Sequence, residues 1–429
     1  MKFNKTFIQK IAIPIIIFGM FFSLLIGVEF TQFYMIKHNF SYDEGDGYAV
    51  VCNYKNDSQV PNRAKIRFSL NVSVFYEGEP VVLLNGVPLR PNKNGEYVVT
   101  AKEDVRLQIL GIAKKVSKMV GDGTETSPYQ ITHPIDLLYI AEQVNAGIPA
   151  YINGHYRLTQ TLDFYGEALS VIGDYNTEQA VFSGRFTADD GTSVKNYVLD
   201  TNTSDYLGVF GKLENATVEN LKIENFTIDV SRATATPFYV GSLIGYCQDS
   251  NVLNCTATNG SITVYNVQNT LSSFVGGAIG YQTSREKACL IDKVTSSIPV
   301  QVVEGTVGYL GGICGYSVGT KTYSSSLLGC IANGDKTGGT RLGGIVGHLG
   351  NYASVQNCQA SGEIVAKSLL HFLRTNEKDL PYCKAYAGGI VGFAETNTTI
   401  KDCIPNTSVF AHAVSGTQYQ RTGVFVGNR

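Results

Sequence analysis

Apolar and polar residues alternate in short runs over residues 42–116. YAVVCNY, AKIRFSLNVSVFY, PVVLLNG, GEYVVTA and VRLQILG are separated by Gly, Pro, Asn and Asp. Period-two runs this short, broken by turn residues, predict the strands of a small β-sandwich. The pattern changes after GDGTETSPYQ. In HPIDLLYIAEQVNAG the apolar residues Ile135, Leu138, Ala141 (or Ile140) and Val144 keep the spacing of one helix face, and Gly147 stands where a C-cap belongs. A short amphipathic helix ahead of a long β array predicts a cap over its apolar end. Residues 121–200 therefore read as a capping helix with lead-in coils.

From residue 201 to 429 an apolar, glycine-loaded phrase recurs. It reads LGVFG, GSLIG, GGAIG, GGICG, GGIVG, GGIVG and GVFVG, ending at Gly211, Gly245, Gly280, Gly315, Gly347, Gly392 and Gly427, with gaps of 34, 35, 35, 32, 45 and 35 residues. A near-constant period in this range is the signature of a stacked array. A second phrase follows each glycine group: TVENLKI, NVLNCTA, LIDKVTS, SLLGCIA, SVQNCQA and TIKDCIP. One column in it reads Leu221, Cys255, Val294, Cys330, Cys358, Cys403; three residues earlier another reads Val218, Val252, Ile291, Leu327, Val355, Ile400. A third apolar stretch, such as GSITV or GEIVA, completes the period. Three short strands per period predict one coil of a parallel β-helix, in which equivalent side chains stack about 4.8 Å apart. A propeller blade needs four strands and usually about 40–50 residues, so the solenoid is preferred.

These phrases carry a resemblance. The G-G-φ-φ-G phrase, the V-x-N-C phrase after it and the lead-in YRLTQTLDFYG, LSVIGDYN, AVFSGRFTADDGTSVKNYVLDT, YLGVFG are similar to bacterial GLUG-motif repeat proteins. The resemblance covers roughly residues 121–429 and departs at Thr161-Leu162-Asp163 and Ala188-Asp189-Asp190, which are turn and coil positions. It implies a parallel β-helix on a bacterial surface protein. Such repeats also occur in some immunoglobulin A1 peptidases, where they are not the catalytic part. Right-handed coiling is expected from the crossover rule and from the resemblance together.

The N-terminus adds a membrane. Lys2, Lys5 and Lys10 precede the uncharged run Ile11–Val28, IAIPIIIFGMFFSLLIGV. At 1.5 Å per residue it spans roughly 27 Å, close to the hydrocarbon thickness. It is longer than a cleaved signal's apolar region and lacks a small-x-small end. It therefore reads as an uncleaved transmembrane signal anchor over 11–28, with residues 1–10 in the cytoplasm, a stalk at 29–41 and the bulk outside the cell. A net charge of -2 provides no basic stripe for nucleic acid.

Chemistry is sparse. There are nine cysteines, and four occupy the repeat column, where a free thiol acts as a small apolar side chain. No C-x-x-C or H-E-x-x-H occurs, so no metal or other cofactor is expected. Acidic pairs, the minimum for a glycosidase, occur at Asp189-Asp190, Asp43-Glu44 and Glu103-Asp104, all in turn-like text. Two ring columns remain. His348 shares a position with Tyr246, Tyr281, Tyr316 and Phe393; a second column holds Tyr239, Phe274, Tyr309 and Tyr386, with Arg341 and Arg421 in other coils. Stacked rings stabilise a solenoid and can also offer a ligand platform. The 45-residue period carries about ten extra residues within AKSLLHFLRTNEKDLPYCKAY, which include Leu370, His371, Phe372 and Arg374. Insertions in solenoids map to loops on one face, often the interaction face, and SLLHFLR equally suits a short helical flap covering the solenoid. The expectation is a non-catalytic surface adhesion or interaction module that binds a surface glycan or a protein, through Tyr239, Phe274, Tyr309, Tyr386 and the insertion. The alternatives are a carbohydrate-active enzyme on the same solenoid and a structural surface stalk. The chain stops at GVFVGNR within a coil, which also suggests end-to-end self-association.

Overall fold

The structure is a computed structural model. It describes residues 37–43, 45, 47–174, 180–202, 204–231, 236–265, 273–303, 308–367, 384–412 and 420–428. The anchor run 11–28 lies outside these residues. Among the described residues no helix is long and apolar enough to cross a membrane. The chain divides into two compact units, at Lys115 and Val116.

The first unit is built from the alternating runs. One sheet orders Ser58–Pro61, Lys37–Tyr42, Val105–Leu110, Val81–Leu84 and Val87–Leu89; a second orders Tyr48–Cys52, Lys65–Val72 and Tyr97–Thr100. Their inward positions share one core that includes Phe40, Ile66, Phe68, Val82, Tyr97, Val99 and Leu107. Phe68 and Tyr97, cross-strand neighbours, stack with ring centroids 5.1 Å apart. The sheet takes in Lys37–Tyr42, most of which the sequence pattern assigned to the stalk.

The second unit is a stack of coils with parallel strands. Its helix α1, Pro134–Asn145, begins with a capping box: His133 Nδ1 accepts from Ile135 N, and Asp136 Oδ2 accepts from His133 N at 3.0 Å. It ends in a Schellman motif, with Gly147 N on Val144 O at 2.9 Å, Ile148 N on Gln143 O at 3.1 Å, and Gly147 at φ +77°. The C-cap stands where the pattern put it. The buried stripe differs by one position: Leu137 is fully buried and Leu138 only partly, because Ile135, Leu137, Ile140, Ala141 and Val144 together form the wider apolar face of a globular helix. A second, short helix, α2, spans Pro149–Ile152. Asn145 ties α1 to the lead-in coil: its Nδ2 donates to Val171 O and its Oδ1 accepts from Gly173 N, at 2.9 and 2.8 Å.

Each coil has four walls rather than the three strands expected. In one coil they are Tyr239–Gly241, Ile244–Gln248, Asn251–Leu253, and Thr256–Thr258 continuing as Ser261–Tyr265. Each wall is a ladder across coils; among the described residues the four hold seven, seven, nine and twelve strands. The glycine phrase, expected as one strand, is a corner between the first and second walls. The V-x-N-C phrase, also expected as one strand, is the corner between the third and fourth. Its turning residue has positive φ in every coil: Asn220, Asn254, Lys293, Gly329, Asn357 and Asp402. Asn, Asp and Gly tolerate that left-handed conformation.

Side chains inside the coils form apolar ladders. Leu207, Val240, Val275, Leu310 and Leu342 line the first wall, and Val218, Val252, Ile291, Leu327 and Val355 the third, all fully buried. The corner column Leu221, Cys255, Val294, Cys330 and Cys358 is likewise closed to solvent. One interior ladder carries an amine. Ile228, Ile262, Val300, Lys336 and Ile364 follow one another in register, and Lys336 is fully buried. Its Nζ donates to Gly334 O and Ser361 O, at 2.5 and 3.1 Å, and burial lowers its pKa from 10.5 to about 8.

Candidate functional site

The first and second walls fold toward each other on the outside of the solenoid. Glycine permits this. A Cβ on Gly347 would lie 2.5 Å from Leu310 N in the first wall of the preceding coil and 2.7 Å from Gly315 O in the second. Only a residue without a side chain lets those backbones approach. The outward residues on either side of the corner, seven apart in most coils, therefore meet. In register along the first wall stand Tyr206, Tyr239, Phe274, Tyr309, Arg341, Tyr386 and Arg421. Along the second stand Lys212, Tyr246, Tyr281, Tyr316, His348, Phe393 and Asn428.

The two columns interlock. Within the second wall Tyr246 and Tyr281 stack at 5.0 Å with planes 2° apart, and Tyr281 and Tyr316 at 5.0 Å and 11°. Across the corner, Phe274 meets Tyr281 edge to face at 5.1 Å, and Tyr239 meets Tyr246 at 5.5 Å. Ring faces are thus turned to other rings, and the half-buried residues offer edges and hydroxyls to a ligand rather than a flat platform. Burial pushes the Tyr246 and Tyr316 hydroxyls up to about 12, and raises Tyr239 and Tyr281 as well. At neutral pH these four phenols keep their protons and serve as both donors and acceptors.

One coil interrupts the rings with charge. Arg341 Nη1 lies 2.5 Å from His348 Nδ1, and His348 Nε2 lies 3.0 Å from Glu395 Oε1. A guanidinium can only donate, so Nδ1 accepts and the ring proton sits on Nε2, where it donates to the carboxylate. Glu395 Oε2 accepts from Asn351 N and Asn351 Nδ2, at 3.1 and 2.6 Å. The Arg341 guanidinium lies over the Tyr309 ring at 4.6 Å and the Phe393 ring at 4.5 Å, so the cation continues the stack. Burial, and then the Arg341 charge, lower the His348 pKa from 6.5 to about 2. His348 is therefore a neutral relay between a cation and a carboxylate, besides being a ring among rings. Chemically the coil offers guanidinium N–H groups and a partly exposed carboxylate beside a row of phenols.

Tyr239, Phe274, Tyr309 and Tyr386 all stand in this corner. Leu370, His371, Phe372 and Arg374 lie outside the described residues. Asp189, Asp43 and Asp104 of the acidic pairs have partners of their own. Asp189 pairs with Arg157 at 2.7 Å and Asp43 with Arg106 at 3.2 Å, while Asp104 accepts from Asn39 N at 2.9 Å. Among the described residues no group of three or more His, Cys, Asp or Glu is placed to hold a metal. Three corner residues escape the repeat spacing. Tyr206 belongs to the first column but lies one residue nearer its glycine, because two residues separate Leu207 from Phe210 where three separate their partners Val240 and Ile244. Glu395 and Asn351 sit beyond the glycine phrase, outside the two ring columns; an acidic residue two positions after the second-column residue, which Glu214 supplies after Lys212 and Glu395 after Phe393, was the available signal.

Comparison with known proteins bears on this arrangement. The GLUG motif matches residues 236–263 and 338–365. Each match opens just before a first-wall strand and closes in the fourth wall, so one motif is one coil, and the second contains Arg341 and His348. The chain carries the GLUG motif, as the sequence resemblance implied. A 170-residue stretch, 37% of the chain, is 28% identical to halomucin of Haloquadratum walsbyi. That stretch spans 2% of halomucin's length. A solved chain described as a proposed immunoglobulin A1 protease from Bacteroides ovatus is 16% identical, with coverage of 66% of this chain and 86% of that one. Its TM-score of 0.39 is too low to carry a fold or activity argument.

Proposed function

We propose that this GLUG-motif solenoid is a surface-displayed binding module whose ligand site is the corner between the first and second walls. The observation that carries the reading is the convergence of two ring columns there, broken at one coil by Arg341, His348 and Glu395. Ring edges, phenol hydroxyls and a fixed guanidinium suit a hydroxyl-rich ligand, so a surface glycan is the preferred class. The GLUG motif and the partial likeness to a protein named halomucin support extracellular display. Residues 11–28 would tether the chain to the membrane with its N-terminus in the cytoplasm, and the coils would be right-handed. No catalysis is assigned. Surface labelling of intact cells with a membrane-impermeant amine reagent tests the display: an unlabelled chain would overturn it.

Binding is tested with the full chain in detergent on a glycan array. Arg341→Met and Tyr386→Ala are expected to weaken binding at least tenfold while the far-ultraviolet circular dichroism stays unchanged. Binding that survives both substitutions would remove the corner as the site, and no binding to any glycan would favour a structural stalk. The enzyme alternative draws on Glu395 with its buried His348. Product release from a bound polysaccharide that disappears in Glu395→Gln would replace the binding reading.

A further inference from the structure

Two buried thiols meet across a different corner. Cys247 lies in the second-wall strand Ile244–Gln248, and Cys289 opens the third-wall strand Cys289–Asp292 of the next coil. Both are fully buried, and their Sγ atoms are 3.6 Å apart. Cys289 Sγ also donates to Ser250 O of the preceding coil, at 3.0 Å, and the thiols of the repeat column share that kind of carbonyl contact. Cys255, Cys330, Cys358 and Cys403 each direct Sγ to a carbonyl of the preceding coil (Val218, Ile291, Leu327 and Val355) at 3.6 to 3.7 Å. Each also reaches the carbonyl two residues before it, at 3.2 to 3.5 Å. Those four stack vertically, which is poor geometry for a bridge between in-register parallel strands. Cys247 and Cys289 come from different walls and face each other, so the vertical constraint does not apply to them.

We propose that Cys247 and Cys289 form a disulfide that staples one coil to the next. A disulfide needs an S–S separation of about 2.05 Å, so the sulfurs must close by roughly 1.5 Å, within reach of a side-chain rotation and a small backbone adjustment. The oxidant is an external disulfide such as oxidised glutathione. One protein thiolate attacks it, forms a mixed disulfide and releases one glutathione thiolate. The second protein thiolate attacks the protein sulfur of that mixed disulfide and releases the other. One S–S bond is broken and one formed, two electrons pass to glutathione, and the two protons lost by the cysteines end on the released thiols. Neither sulfur is accessible in the finished coil, so the exchange precedes closure of the coil during folding. An exported chain folds where such oxidants persist.

The test is peptide mapping of the full chain, folded with oxidised glutathione, denatured without reductant and alkylated. The expected result is a linked peptide pair containing Cys247 and Cys289, lighter than the two free peptides by two hydrogens, with Cys255, Cys330, Cys358 and Cys403 alkylated. Full alkylation of both Cys247 and Cys289, or a link between two column cysteines in place of theirs, would overturn the proposal. As a second measurement, reductant is expected to lower the thermal midpoint of the natural chain and leave that of the Cys247→Val/Cys289→Val double variant unmoved. An equal fall in both would count against the staple. If the double variant does not fold, the linked peptide decides alone.

Discussion

Replacing Lys336 with methionine should reverse its effect on stability between pH 7 and pH 10. Lys336 is fully buried, in register with Val300 and Ile364, and its pKa falls from 10.5 to about 8 because burial penalises the ammonium. A depressed base is protonated more readily in the unfolded chain than in the folded one. Stability therefore rises with pH through the window from 8 to 10.5, and the full penalty applies below it. Two and a half pKa units correspond to about 3 kcal/mol at pH 7, of which about 1 kcal/mol is left at pH 10. Lys336→Met removes this penalty and also the hydrogen bonds to Gly334 O and Ser361 O. Those cost about 1 kcal/mol each. The variant should then be about 1 kcal/mol more stable than the natural chain at pH 7 and about 1 kcal/mol less stable at pH 10. Urea unfolding followed by far-ultraviolet circular dichroism at both pH values measures the difference, and taking variant against natural chain cancels the ionisation of the tyrosines. A stability gap that does not change with pH would refute the assignment of a buried, charge-penalised amine.

Gly347→Ala should cost about 3 kcal/mol, because its Cβ would meet backbone rather than a flexible side chain, and a lowered thermal midpoint checks it. His348→Phe, which places in this coil the residue the next coil already has, should make the protein more resistant to acid. The folded His348 pKa of about 2 lies below its unfolded value of 6.5, so the natural residue takes stability away progressively as pH falls below 6.5. Equal stability of the two proteins from pH 7 to pH 4 would contradict this. Asp136→Ala should destabilise the lead-in region by about 2 kcal/mol. Its buried carboxylate accepts from Thr132 N and His133 N at 3.0 Å and from Ser117 Oγ at 2.7 Å, and faster amide exchange in α1 would report the loss.

The period, the strands and the ladders are legible in the sequence because stacking imposes the same demand on every coil. Val218, Val252, Ile291, Leu327 and Val355 repeat since each meets the one below it in register. The number of walls is not legible, for a physical reason. A strand that bends at glycine keeps its apolar text on both sides of the bend, so GGIVG looks like one strand while its backbone turns. The left-handed residue before the cysteine column marks the other corner, and Asn, Gly and Asp there are the turn chemistry that announces it; only Lys293 disguises it. The ring columns are each visible by spacing, but their convergence is not, since nothing in a linear period states that two outward faces are folded against each other. That convergence follows from the glycines between them. The glycines of GGIVG bring Arg341 and His348, on either side of the corner, within 2.5 Å. Glu395 then completes a polar chain that no other described coil repeats. In a solenoid the repeated positions explain stability, and the residue that occurs once, held in place by the repeated ones, is where recognition is to be sought.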